Sequence, residues 1–236
     1  MKRRNKSMKM QQQYLHFSSP LKHDYHMWVH HSGTEIACAK LAIWMNQGGI
    51  LWLTSDEPAG KSHLIHALAQ EYSQLKRIEP GKRLTPIKQV AVWLDILKDT
   101  NLWVLDLHAG KLPKRTALAL FHLIERAKES QHALLISWRC PDTDLKPSEL
   151  ASRLRMMEQV KIQAPETNAD LRRVLQATAR QLHWDIPEGL IKVLIQHLPR
   201  NLGIQIDALH RLEAASLEER TRLTQVWAKK KLQLLK

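Results

Sequence analysis

Gly60, Lys61 and Ser62 stand together between a short apolar run, Ile50-Leu51-Trp52-Leu53, and a stretch of helical periodicity that begins at Leu64. These residue types in this order have the makings of a phosphate cradle. The glycine lets backbone N–H groups turn inward, the lysine reaches the outer phosphates, the hydroxyl ligates Mg²⁺, and the helix N-terminus adds positive potential. Ser55 holds the place that usually belongs to the first glycine of such a loop, and Pro58 and Ala59 stiffen it. Gly60, Lys61, Ser62 and the adjoining His63 are therefore the expected nucleotide-binding residues of the loop, with ADP or ATP and Mg²⁺ as ligands.

Two further strand ends carry polar groups. Asp106 closes Leu102-Trp103-Val104-Leu105, and Ser137 closes Ala133-Leu134-Leu135-Ile136. An aspartate in that place faces Mg²⁺ in a P-loop protein, as a Walker B residue; a helix N-cap is the other reading. With Ser62 it would form the metal site. Leu107 and His108, which follow it, bring no second carboxylate to activate water, so hydrolysis should be slow or need help. Ser137 is either a sensor of the terminal phosphate or a turn former. Arg153, in Leu150-Ala151-Ser152-Arg153-Leu154, either points at a neighbour's phosphate or sits in a surface ion pair.

The elements that must position these groups alternate. Helical spacing from Thr34 to Gln47 ends at Gly48-Gly49; the first strand and a helix from Leu64 to Leu75 follow. A helix from Thr116 to Lys128 lies between the two other buried strands, and Val160-Lys161-Ile162 is strand-like. Continuous apolar strands alternating with helices imply an α/β fold built on a parallel sheet. The stretch Lys88 to Leu97 reads as helix, or as strand plus helix. After Ala164-Pro165 everything is helical: Asn168 to Leu182, Pro187 to Leu198, Ile204 to Ala215 and Thr224 to Leu234. The predicted organisation is a basic arm over 1–24, an α/β domain over 25–164 and a small helical lid over 165–236.

With 236 residues, 44% of them apolar, the chain can bury a large core with a smaller one attached, and it contains no apolar run long enough to span a membrane. Cys38 and Cys140 lack metal-type spacing and suit a reducing, cytoplasmic compartment. The net charge of +13 is unevenly spread. Lys2, Arg3, Arg4, Lys6 and Lys9 at one end, with Lys229, Lys230, Lys231 and Lys236 at the other, carry nine of those charges. Such ends serve either as solubilising tails or as direct contacts to nucleic-acid phosphates.

The run Ala59-Gly60-Lys61-Ser62-His63-Leu64-Ile65-His66-Ala67, with Val104-Leu105-Asp106, Leu150-Ala151-Ser152-Arg153-Leu154 and the closing helices, resembles the AAA+ module of bacterial DnaA proteins. No room follows the lid for a helix-turn-helix domain, and Leu209-His210-Arg211-Leu212-Glu213-Ala214-Ala215-Ser216 resembles the lid of the Hda family, DnaA-related regulatory inactivators. The resemblance, which runs from about residue 12 to the C-terminus, implies an AAA+ domain with a helical lid, nucleotide and Mg²⁺ on Lys61, Ser62 and Asp106, and a sensor at Ser137. It also implies an arginine finger, Arg153, offered in trans to ATP on DnaA. Gln12-Gln13-Tyr14-Leu15-His16-Phe17 looks like the family's motif for the DNA polymerase III sliding clamp, with Gln12, Leu15 and Phe17 as anchors, and Tyr25 to Val29 would pack near the adenine. Its lid sensor arginine is replaced by Gly203.

The function so implied is negative regulation of chromosome replication initiation, in the cytoplasm at the nucleoid. The regulator would bind the clamp on DNA and stimulate hydrolysis of DnaA-bound ATP; its own ATPase would be weak or absent, and a homodimer is among its expected states. A helicase-loader or transposition-type ATPase acting directly on DNA is the alternative raised by the basic ends. A nucleotide-stabilised interaction protein without catalysis is the alternative raised by Ser55, Leu107 and Gly203.

Overall fold

The computed structural model describes residues 28–81, 84–107, 110–139, 146–219 and 222–234. The arm over 1–24, with Gln12, Leu15 and Phe17, lies outside them, as do Tyr25, His108 and Cys140.

Five strands, β1 (Ile50–Thr54), β2 (Leu75–Ile78), β3 (Leu102–Asp106), β4 (Ala133–Ser137) and β5 (Glu158–Lys161), form one sheet in the order β2-β3-β4-β1-β5. All four pairings are parallel. Composition explains the order. The wholly apolar stretches of β3 and β4 are buried along their full length and sit inside, whereas β2 (LKRI) and β5 (EQVK) mix in polar residues and take the edges.

The helices are α1 (Ser32–Gln47), α2 (Lys61–Glu71), α3 (Pro86–Leu97), α4 (Lys114–Glu129) and α5 (Ser148–Arg155), then α6 (Asn168–Gln181), α7 (Glu188–His197), α8 (Leu202–Glu219) and α9 (Gln225–Lys231). Successive residues of one strand feed opposite layers. Leu102 and Val104 pack with Leu41, Leu64 and Ile65 of α1 and α2, while Trp103 and Leu105 pack with Trp93, Leu120 and Leu154 of α3, α4 and α5. By this alternation Asp106 shares the side of Val104, where the P-loop helix α2 lies. A third core, including Leu171, Leu175, Leu194, Leu209 and Leu212, belongs to α6–α9 alone, which makes them a separate helical layer. Among the described residues no helix is long and apolar enough to cross a membrane.

Two sequence readings change. The helix expected to reach Leu75 stops at Glu71, and Leu75 opens β2, an edge strand whose Lys76 and Arg77 hide its strand pattern. The ambiguous stretch around Lys88 to Leu97 is one helix, α3, opened by Pro86 and by Thr85, whose hydroxyl accepts from the backbone N–H of Lys88.

Trp93 of α3 is fully buried, and its indole N–H donates to the carbonyl of Glu79 at 2.8 Å, tying α3 to the end of β2. Replacing Trp93 by Ala should cost about 3–5 kcal/mol, as truncation of a large buried aromatic does. Urea denaturation of the two proteins measures it.

Candidate functional site

The loop from β1 to α2 turns at Gly60, whose φ of 83° lies in the left-handed region that glycine adopts without strain. The turn sets Lys61 and Ser62 on the first turn of α2. The Lys61 ammonium donates to the Ser55 hydroxyl, so the residue in place of the first glycine holds the lysine side chain within the loop. Burial, and after it the nearby Arg139 guanidinium, lowers the Lys61 pKa to about 8, against an opposing pull from Asp106. Arg139 follows Ser137 by two residues, and its carbonyl accepts from the Gly110 N–H at 3.1 Å.

Asp106 is 5% exposed at the end of β3. Its Oδ1 accepts from Ser62 Oγ at 3.3 Å, so the structure joins the two expected metal ligands, residues 44 positions apart. Two oxygen donors at that spacing suit neighbouring corners of an octahedral Mg²⁺ shell, where about 3 Å separates adjacent ligands. Ser137 lies opposite Asp106 in the β3–β4 register. Its Oγ is buried and has no hydrogen-bond partner among the described residues, as an orphaned group kept for a ligand would be.

Three residues that the sequence did not single out complete this corner. Arg77 of β2 directs Nε and Nη2 at Asp106 Oδ2, both at 3.4 Å, and Nη2 also bonds Glu79. Donor atoms of His66, Glu79 and Asp106 all lie within 4.8 Å of one another. A second carboxylate thus stands beside Asp106, but it arrives from β2 rather than from the residues after Asp106. Leu107 is instead a buried core residue. Recognition of β2 as the neighbour of β3 was the missing signal, since parallel pairing alone brings Arg77 and Glu79 here.

Beside the loop lies a cavity of about 230 Å³ between the sheet domain and the lid, lined by Trp28, Pro58, Gly60, His63, Val174 and Ile206 among others. Its walls are largely apolar, as a nucleobase requires. The Trp28 ring stacks on His63 at 5.5 Å and 27°, and His63 meets Gln181 of α6 at 3.4 Å. Trp28 falls in the segment expected near the adenine. Gly203, at the start of α8, faces Pro58 so closely that a Cβ there would come within 3.1 Å of Pro58 Cγ. A side chain at this position would require Pro58 or α8 to give by a few tenths of an ångström.

Arg153 does not join the phosphate-facing cluster. It lies on α5, and its Nε donates to Glu125 of α4 at 2.6 Å. The bonded Glu125 raises the Arg153 pKa, and the same hydrogen bond lowers that of Glu125. Of the basic C-terminal residues, Lys231 pairs with Glu219.

Residues 168–232 match the family model of the Hda lid domain. The whole fold is that of DnaA: domain III of the Thermotoga maritima replication initiation protein superposes with a TM-score of 0.66 at 16% identity, covering 91% of this chain and 98% of that one. The lid is of the Hda type, and the fold of the chain is that of an AAA+ domain like domain III of DnaA. Aquifex aeolicus DnaA bound to AMPPCP gives a TM-score of 0.58 at 13% identity, over 85% of this chain and 67% of that one. A Thermotoga maritima RuvB mutant gives 0.64 at 14%, over 91% and 73%. In this chain the loop before α2 and the end of β3 meet at the carboxyl ends of the parallel strands.

The His63 environment makes a pH prediction. Burial, with the adjacent His66 as the lesser cause, lowers its pKa from 6.5 to about 4. The unfolded chain therefore takes up this proton first, and folded stability should fall as pH drops from 6.5 towards 4. His31 and His66, also lowered chiefly by burial, act in the same direction. Urea midpoints at neutral pH and near the low end of that window should differ less in His63→Gln than in the parent.

Proposed function

We propose that this chain is a nucleotide-dependent regulator of replication initiation that stimulates hydrolysis of ATP held by a DnaA partner. The observation that carries the reading is the Hda lid at 168–232 on a DnaA-type AAA+ core. Bound nucleotide, ADP or ATP, occupies the apolar cavity with its phosphates on Gly60, Lys61 and Ser62. Support comes from the joined Ser62–Asp106 pair, from the orphaned Ser137 hydroxyl, and from AMPPCP in the Aquifex aeolicus neighbour. Ser62 and Asp106 are the residues that would hold Mg²⁺, which would screen phosphate charge. Hydrolysis in cis is weak, because the carboxylate beside Asp106 is engaged by Arg77 and Gly203 offers no cation.

Arg153 supplies the trans-acting charge. The Glu125 carboxylate keeps its guanidinium extended from α5 until a partner's phosphates, carrying more negative charge, replace that contact. Gln12, Leu15 and Phe17 anchor the chain to the sliding clamp, and the basic ends add non-specific contacts to the DNA that the clamp encircles. Action in the cytoplasm at the nucleoid belongs to the same reading.

Arg153→Ala should reduce stimulated DnaA-ATP turnover by about 10³-fold or more while nucleotide binding by the variant itself is unchanged. A single-turnover assay with DNA-loaded clamp measures this; unaltered stimulation would remove the finger. Deleting residues 12–17 should abolish capture by immobilised clamp. Salt-sensitive DNA binding that persists without clamp capture in the intact chain would favour the DNA-acting ATPase instead.

A further inference from the structure

Arg77 enters the function proposed so far only through its bond to Glu79, yet it also approaches the most buried acid of the site. Its Nε and Nη2 both stand 3.4 Å from Asp106 Oδ2, while Ser62 takes Oδ1. Both carboxylate oxygens are therefore engaged by groups of this chain. We propose that Arg77 is a built-in counter-cation for Asp106, so that nucleotide binds to this protein with little help from Mg²⁺. The proposal rests on the reading of Ser55–Ser62 as a phosphate cradle.

The backbone places the guanidinium there. Arg77 stands opposite Val104 in the parallel β2–β3 register, two residues short of Asp106, and a long side chain covers that distance along the strands. Glu79 bonds the same Nη2 and so holds the guanidinium in place. Arg77 is 22% exposed against 5% for Asp106, so solvent screens this ion pair only partly. A divalent ion at Ser62 depends on the negative field of Asp106, and a fixed positive charge beside Oδ2, shared with Glu79, offsets part of that field. Water ligands of such an ion would also have to share oxygens already accepting hydrogen bonds.

The His66, Glu79 and Asp106 donors are close enough to hold a metal themselves, but the Arg77 guanidinium bonds both carboxylates of that set and repels a dication. The same cluster thus argues for a fixed organic cation in place of a mobile inorganic one. Lys61 and Arg77 together bring two positive charges to a corner that holds the two carboxylates of Asp106 and Glu79.

The test is equilibrium binding of a fluorescent ADP analogue to the full-length protein, in EDTA and in excess Mg²⁺. Wild-type affinities should agree within about threefold, whereas Arg77→Ala and Arg77→Gln should bind more weakly in EDTA and regain about tenfold or more with Mg²⁺. Arg77→Lys, which keeps the charge, should behave as the wild type. Because β2 is an edge strand, thermal melting of each variant separates loss of folding from loss of the cation. A tenfold gain with Mg²⁺ in the wild type, or no gain in Arg77→Gln, overturns the proposal. If wild type and Lys61→Ala bind the analogue equally poorly, the cradle reading itself fails. A second arm needs no nucleotide: Mn²⁺ titration followed by electron paramagnetic resonance should show an ion bound by Arg77→Gln and not by the wild type. Equal Mn²⁺ binding by both would overturn the proposal.

Discussion

A carboxylate at the end of an apolar, fully buried strand must be compensated, and the phosphate-facing corner of this protein is organised around that requirement. Asp106 is nearly inaccessible, and the sheet that buries it also supplies its partners. Ser62 comes from the helix after β1, and Arg77 comes from β2 on the other side of β3. The distances of 3.3–3.4 Å are long for charge-assisted hydrogen bonds. The arrangement is electrostatic containment rather than tight coordination, and it can reorganise when phosphate charge arrives.

The second constraint is the approach of the lid. Gly203 lets α8 rest on Pro58, and α6 adds Val174 and Gln181 to the same cavity. Nucleotide in the cavity would touch the loop, Trp28 and the lid at once, so its presence would be felt in the angle between the two helical and sheet layers.

Much of the phosphate site was legible before folding because its residues are consecutive. Gly60-Lys61-Ser62 after an apolar run is local information, and β3 and β4 announce themselves by being apolar throughout. Helix existence in the lid was equally plain, since α6, α7 and α8 carry apolar residues at helical spacing beneath polar surfaces. Arg77, Glu79 and His66 were invisible by the same logic. Arg77 sits in a strand only four residues long with two cations in its centre, Glu79 follows that strand, and His66 on α2 meets them only because β2 lies beside β3.

What the sequence alone determined is the set of local elements, the candidate phosphate loop between β1 and α2 and the pairing of an α/β layer with a helical one, because periodicity and turn chemistry act over a few residues. What only the tertiary structure decided is which distant charges meet. Parallel register carried Arg77 to Asp106, and helix packing gave Arg153 to Glu125 rather than to the chain's own phosphate site. Strand neighbours in a parallel sheet are joined through crossovers, so their side-chain encounters are set by sheet order and leave no mark on sequence spacing.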